Sequence, residues 1–187
     1  MAIKVYIDQG HNPVNPNAGA EGNGYREQDL VYTIGVLTAE YLQAAGIDVR
    51  LSRPTSDTQL GTSVSSSLMQ RVAEANAWGA DYFVSLHANA SDITTASGSE
   101  GYVFSLQSSA VPLAENILEQ LSINTGLPAR GVFPRPSLYV LRRTAMPATL
   151  IELGFITNPY DAALMAQSPQ LFAAGVANGI LAYLGML

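Results

Sequence analysis

Apolar segments of strand length alternate with longer segments of helical periodicity along this chain of 187 residues. The pattern predicts strands near residues 3–8, 47–52, 81–87, 101–106 and 148–155, and helices near residues 28–45, 64–78, 109–124 and 168–184. Such alternation favours parallel strands, right-handed crossovers and helices on both faces. We therefore expect an α/β fold with a twisted, mostly parallel mixed sheet. The two consecutive central strands allow an antiparallel edge, and residues 138–141 fit either an extra strand or a loop wall.

The composition fits one globular domain over residues 1–187, because hydrophobic residues make up 48% of the chain and charged residues 13%. A net charge of −6 argues against nucleic acid as a partner, since phosphate binding relies on clustered Lys and Arg. The chain has no cysteine, so any zinc site must use His, Asp and Glu. Neither a signal peptide nor an apolar run of membrane-spanning length is expected.

The predicted connections are unequal in length at the two ends of the sheet. Turns from helix to strand are short and close on Gly46 and Gly79, which are plausible helix C-caps. Connections from strand to helix are long and polar, at residues 9–24, 53–63 and 88–98. Elaborated loops at the carboxyl ends of the strands predict that the functional site lies at that rim.

The only two histidines each follow an apolar strand-like run at this rim. His11 ends the first run and His87 ends the third, so the fold can bring the two imidazoles together. Two imidazoles with one carboxylate and an open position are a known ligand set for hydrolytic zinc. A histidine at a strand end is more often a hydrogen-bonded structural residue, and the joint placement is what favours a metal site.

Three acidic residues are candidates for roles beside these histidines. Glu21 and Glu27 lie in or after the first long loop, and we favour Glu27 as the third metal ligand. Glu27 could equally interact with a helix dipole, as could nearby Asp29. Glu152 stands within an apolar strand, where an unpaired carboxylate would be costly to bury. It is the strongest candidate for a general acid and base, which cleavage of an amide requires.

The order and spacing of several motifs resemble those of the catalytic domain of zinc-dependent N-acetylmuramoyl-L-alanine amidases of bacteria and their phages, the Amidase_3 type. The resemblance covers nearly the whole chain. It rests on motifs at residues 7–11, 27–30, 71–81, 85–90, 138–142 and 146–158.

This resemblance implies one Zn²⁺ held by His11, Glu27 and His87, with Glu152 as catalytic acid and base. It implies cleavage of the amide between the lactyl group of N-acetylmuramic acid and L-alanine of the peptidoglycan stem peptide, at the bacterial cell wall. Asn89 and Arg142 are candidates for substrate contacts, although each could be structural instead. We expect a monomer. Its targeting is expected to depend on a wall-binding domain or a protein activator outside this chain, and the sequence does not identify a route of export.

One motif departs from the family pattern. Relatives commonly have two glycines after the first histidine, whereas this chain has Asn12 and Pro13, followed by Pro16. Proline fixes φ near −65° and removes a backbone donor, so the departure predicts a stiffer groove wall and an altered choice of stem peptides.

Two rival functions fit parts of the same pattern. Two histidines and a carboxylate also describe non-haem iron oxidoreductases, but such an enzyme has no evident need for Glu152. A peptidoglycan-binding domain without activity would keep the fold, but the presence of all four polar residues favours an enzyme.

Overall fold

The computed structural model describes residues 2–187 as a six-stranded sheet with helices on both faces and a small separate hairpin. The strands are β1 (Lys4–Gln9), β2 (Glu21–Gly22), β3 (Tyr25–Arg26), β4 (Asp48–Leu51), β5 (Tyr82–Asn89), β6 (Ser99–Val103), β7 (Ala129–Pro134) and β8 (Ala148–Phe155). The helices are α1 (Glu27–Ala44), α2 (Val64–Trp78), α3 (Val111–Thr125), α4 (Tyr139–Arg143), α5 (Pro159–Gln167) and α6 (Pro169–Tyr183). Among these described residues, no helix is both long and apolar enough to cross a membrane.

The strand order in the large sheet is β4-β1-β5-β8-β6-β7. The first four strands of this order pair in parallel, and so do β6 and β7, whereas β6 and β8 are antiparallel. The expected α/β fold with a mostly parallel mixed sheet is therefore confirmed. The carboxyl ends of β1, β5 and β8 meet at one rim, as the sequence pattern required.

Alternating side chains of the strands enter two separate cores. Val5 and Ile7 of β1 pack on the face covered by α1, α3 and α6. Tyr6 lies on the opposite face, where it stacks on Phe83 at a centroid distance of 5.5 Å beneath α2 and α4. This second face is covered by one long and one short helix, because α2 has 15 residues and α4 has five.

A glycine closes the turn that leads into β5. Gly79 ends α2 with φ of 68°, a left-handed conformation that glycine adopts without a steric penalty. The chain then reaches Tyr82, the first residue of β5, after two more residues. This tight connection fixes where β5 starts and hence which of its residues reach the rim.

The structure differs from the sequence expectations in the second half of the chain. Residues 138–141 form neither a strand nor a loop wall, because α4 begins at Tyr139. Val140 and Leu141 of this short helix are buried and the next two residues are exposed, a pattern too short to distinguish a helix from a strand.

The antiparallel strand is also placed differently from the expectation. β6 does not form an edge, since β7 pairs with it on the outer side. The sequence pattern did not predict β7, whose Gly131 and Pro134 are uncommon inside strands. β2, β3 and α5 were missed as well, because two of these elements are two residues long and the third has nine.

Candidate metal and catalytic site

His11, Glu27 and His87 converge at the rim of the sheet. One potential ligand atom from each residue lies within 4.8 Å of the others. Glu27 Oε1 is 3.2 Å from His11 Nε2 and 3.0 Å from His87 Nδ1. Two donors that are each about 2.0–2.1 Å from a tetrahedral zinc lie about 3.3 Å apart, so these spacings fit such a site. The three residues favoured from the sequence are therefore placed together.

The other two acidic residues named near Glu27 in the sequence, Glu21 and Asp29, lie outside this cluster. Glu21 is exposed on β2 and approaches Arg26, with 3.9 Å between its Oε1 and Nε. Asp29 is also exposed and approaches the same guanidinium group at 3.4 Å. Both side chains thus serve surface ion pairs, which leaves Glu27 as the carboxylate beside the histidines.

Backbone donors hold Glu27 in place at the first turn of α1. Its Oε2 accepts a hydrogen bond from Ala20 N at 2.9 Å, and its Oε1 accepts one from Ala88 N at 3.0 Å. Burial alone would raise the pKa of Glu27, but hydrogen bonds from His11 and His87 outweigh burial and hold it well below its usual range. The carboxylate is therefore ionised and preoriented, as a metal ligand must be.

Two glycines leave room for the cluster. A Cβ added at Gly10 would lie 2.5 Å from His87 Cε1, and one added at Gly19 would lie 2.8 Å from Glu27 Oε2. Both distances are far below a van der Waals contact. The backbone at residues 10 and 19 can therefore approach the polar side chains only because these residues lack a side chain.

A buried arginine supports the segment that carries His11. His11 has φ of 66°, which is uncommon outside glycine. Arg71 donates from Nη2 to His11 O at 2.5 Å and from Nη1 to Gln9 O at 2.7 Å. Its charge is balanced by Asp8, whose Oδ1 is 2.6 Å from Arg71 Nη1 and whose Oδ2 accepts from Ser85 Oγ at 2.7 Å. Arg71 was part of a sequence motif, but its supporting role becomes visible only in the structure.

Glu152 lies on the neighbouring strand. It is opposite His87 in the parallel ladder between β5 and β8, and opposite Glu100 in the antiparallel ladder between β6 and β8. Its Oε2 is buried without a hydrogen-bond partner among residues 2–187. Burial first, and then the carboxylates of Glu27 and Glu100, raise the pKa of Glu152 to about 8. A carboxyl group with these properties can exchange protons near neutral pH.

Glu100 is the centre of a polar cluster that the sequence analysis missed. It accepts hydrogen bonds from Tyr102 Oη at 2.6 Å, Arg130 Nε at 2.6 Å and Asn89 Nδ2 at 3.3 Å. The sequence feature that could have indicated this cluster is an acidic residue between Ser99 and Gly101, in a strand of small and apolar residues. The cluster thus places Glu100, whose negative charge is balanced by Arg130, opposite Glu152 in the β6–β8 ladder.

The two candidate substrate contacts are in different environments. Asn89 ends β5, donates to Glu100 and accepts from Ala90 N at 2.9 Å, so its side chain has local partners. Arg142 is exposed on α4, with its guanidinium 6.0 Å from the ring centroid of Tyr139. The roles of both residues in substrate binding remain predictions.

An apolar cavity of about 120 Å³ opens beside the histidines. Its lining includes His11 and His87 together with Leu68, Leu150 and residues 138–140. A cavity of this size can hold several water molecules or a small group of a substrate. The site therefore combines polar groups with an adjoining apolar space that a substrate could enter.

The sequence of this chain matches a known family. The family profile of N-acetylmuramoyl-L-alanine amidase, Amidase_3, matches residues 5–182. The chain belongs to the N-acetylmuramoyl-L-alanine amidase family. The family membership expected from the motifs is thereby confirmed.

Individual amidases are similar to this chain in sequence and in structure. LytC, an amidase of Bacillus subtilis, is 37% identical over 166 residues, which cover 88% of this chain and 32% of LytC. CwlM of Bacillus licheniformis is 36% identical over 183 residues, which cover 95% of this chain and 67% of CwlM. The catalytic domain of CwlV from Paenibacillus polymyxa has a similar structure, with a TM-score of 0.84, 31% identity and 99% coverage of both chains. The chain thus spans under a third of LytC and aligns with 99% of the CwlV catalytic domain.

Proposed function

We propose that this amidase-family chain is a zinc-dependent hydrolase of peptidoglycan. It cleaves the amide that joins the lactyl group of N-acetylmuramic acid to L-alanine of the stem peptide. The observation that carries the proposal is the convergence of His11, Glu27 and His87 beside Glu152, whose buried Oε2 has no hydrogen-bond partner among the described residues. The identity of the substrate is inferred from the family relationship.

The residues of the cluster fit a zinc ion. They offer two imidazoles and an ionised carboxylate with the spacing that tetrahedral coordination needs. Bound zinc would supply Lewis-acid chemistry that activates water and polarises a carbonyl group near neutral pH. Three protein ligands leave a further position open, as catalytic zinc sites do.

Glu152 carries the proton transfers in this proposal. Its carboxylate takes a proton from the attacking water as the water oxygen bonds to the amide carbon. The C–N bond then breaks, and Glu152 returns the proton to the leaving nitrogen. The products are the lactyl carboxylate of muramic acid and a stem peptide with a free amino group on L-alanine. An amide nitrogen leaves poorly as an anion, which is why this donor is required.

The surrounding residues position these groups. Arg71 fixes the His11 backbone, and the amides of Ala20 and Ala88 fix the Glu27 carboxylate. The apolar cavity beside the histidines offers space for an apolar part of the substrate next to the cluster. A net charge of −6 gives the chain no general attraction to an anionic wall, so we expect targeting to come from a wall-binding domain or an activator.

The test is a digestion of purified peptidoglycan with the zinc-loaded protein, followed by mass spectrometry of the products. The proposal predicts stem peptides with free L-alanine amino termini and intact glycan strands. Protein treated with a chelator should release none, and addition of zinc should restore release. Cleavage of glycan or of peptide–peptide bonds would contradict the proposal, as would equal activity with and without metal. Binding without cleavage would favour the rival peptidoglycan-binding role, and restoration by iron alone would favour an iron enzyme.

A further inference from the structure

The apolar cavity beside the histidines lies on the same face of the sheet as Glu152. Its volume is about 120 Å³, and its lining includes His11, His87 and Leu150. Leu150 precedes Glu152 by two residues on β8, and side chains two residues apart on a strand point to the same face. A substrate whose scissile amide is held at the cluster can therefore place a neighbouring group in this cavity.

Most of the cavity wall is apolar and is already formed without a ligand. It is built by Leu68 of α2 and by residues 138–140 at the start of α4. Asn76 of α2 fixes the end of α4, because its Nδ2 donates to Arg143 O at 3.1 Å and its Oδ1 accepts from Ala145 N at 2.9 Å. A preformed apolar wall of this kind is typical of sites that recognise part of a small molecule.

Asn17 is a lining residue whose amide group has a defined orientation. Its Nδ2 donates to Ser67 Oγ at 3.1 Å. Ser67 Oγ donates in turn to Asn12 Oδ1 at 3.5 Å, so it acts as the acceptor toward Asn17. The amide nitrogen of Asn17 therefore points to Ser67. The Asn17 Oδ1 accepts no hydrogen bond among residues 2–187 and is left to accept one from a ligand.

The charged side chains in the lining do not favour an ionic ligand. Asp8 and Arg71 both line the cavity, but they are buried and neutralise each other at 2.6 Å. The hydroxyl group of Tyr139, another lining residue, can donate to a carbonyl oxygen. The cavity thus suits an uncharged group that has a small apolar end, one N–H donor and one carbonyl group.

The muramic acid sugar carries such a group close to the scissile amide. Its acetamido group has a methyl end, one N–H and one carbonyl, and it is attached to the sugar carbon next to the one that bears the lactyl ether. The methyl groups of the lactyl unit and of L-alanine are also near the amide, but a methyl group alone would leave the Asn17 oxygen unpaired and most of the cavity unfilled.

We propose that the cavity binds the acetamido group of N-acetylmuramic acid, with the methyl group against Leu68 and Leu150 and the N–H donating to Asn17 Oδ1. The inference rests on the proposed function, because the metal cluster must hold the neighbouring lactyl amide. It assigns recognition of the sugar to the wall formed by residues 138–140 and Asn17.

The test uses three muramoyl-L-alanine compounds that differ only in the group at this sugar carbon: N-acetyl, N-formyl or O-acetyl. The formyl compound lacks the methyl group, and the ester lacks the N–H. We expect the zinc-loaded wild type to cleave the N-acetyl compound with a kcat/KM about fourfold higher than the N-formyl compound. The advantage over the O-acetyl compound should be about three- to tenfold. Kd values for the metal-free protein, measured by NMR titration, should follow the same order without any cleavage.

Two variants separate the two contacts. Asn17→Gly removes the acceptor without straining the backbone, because Asn17 has φ of 75°. It should lower the ratio of N-acetyl to O-acetyl kcat/KM to about one and keep the preference over N-formyl. Leu68→Phe fills part of the cavity and should remove the preference over N-formyl instead. Met69→Phe is the matched control, since Met69 is the next residue of α2 and is 54% exposed, and it should leave both ratios unchanged.

The outcomes distinguish this inference from the proposed function. Equal kcat/KM values for the three compounds in the wild type would overturn the role of the cavity while leaving the amidase function intact. Wild-type ratios that persist in both Asn17→Gly and Leu68→Phe would show that the acetamido group binds elsewhere. Failure of the wild type to cleave any of the compounds or whole peptidoglycan would overturn the proposed function and the inference with it.

Discussion

Glu152 and His87 face each other across the parallel ladder between β5 and β8. The pairing places Glu152, whose buried Oε2 has no hydrogen-bond partner among residues 2–187, beside an imidazole that approaches Glu27 at 3.0 Å. Residues that are far apart in the sequence thereby form one site through strand register alone. A slip of one residue in this register would turn one of the two side chains to the other face of the sheet.

Removal of the His87 imidazole should abolish stable metal binding. In His87→Ala, only His11 and Glu27 of the cluster remain, and two ligands hold zinc far more weakly than three. We expect the zinc content measured by elemental analysis to fall from about one per chain to near zero after dialysis. Asn89→Ala, on the same strand but outside the cluster, should keep its zinc. Full zinc content in His87→Ala would show that the metal binds elsewhere.

Loss of the Arg71 charge should destabilise the fold as well as the site. Arg71→Met leaves Asp8 buried without its cation, which typically costs about 3–5 kcal/mol of unfolding free energy. The double variant Asp8→Leu/Arg71→Met removes both charges and should be less destabilised than the single variant. Urea denaturation of the three proteins measures the difference. Equal stability of wild type and Arg71→Met would show that this pair does not support the core.

The raised pKa of Glu152 predicts a pH dependence of stability in the metal-free protein. The unfolded chain ionises this group near its ordinary pKa of 4.5, whereas the folded chain retains the proton up to about 8. Between these values the folded state binds more protons, so the contribution of Glu152 to the unfolding free energy falls as pH rises. The variant Glu152→Gln has no ionisable group at this position, so it should not show this fall in unfolding free energy.

Denaturation in the presence of a chelator tests the effect. The stability of Glu152→Gln relative to wild type should increase by about 1–3 kcal/mol between pH 5 and pH 8. Glu115→Gln changes an exposed glutamate on α3 and should show no such trend. A constant difference between Glu152→Gln and wild type over this range would mean that the Glu152 pKa is not raised.

The sequence predicted the centre of the fold and the meeting of the two histidines, because both follow from local apolar patterns combined with parallel strand order. β8 spans Ala148–Phe155, as the apolar run predicted, and α2 spans Val64–Trp78. His11 and His87 stand at the ends of such runs, so the parallel topology was sufficient to bring them to one rim.

The features that could not be predicted depend on contacts between distant segments. β7 forms by pairing with β6 despite Gly131 and Pro134, and α4 is too short for its periodicity to be read. The Glu100 cluster requires donors from three different segments, and the support of His11 by Arg71 crosses 60 residues. Local propensity carries no information about such contacts.

The most direct test compares Glu152→Gln with wild type in two measurements on the same samples: zinc content and release of stem peptides with free L-alanine amino termini. The account predicts unchanged zinc content and a loss of turnover of about 100-fold or more, because the ligands remain and the proton carrier is gone. Glu115→Gln should match wild type in both measurements. Near-normal turnover in Glu152→Gln would contradict the role of Glu152, and loss of zinc would show that Glu152 acts through the metal site instead.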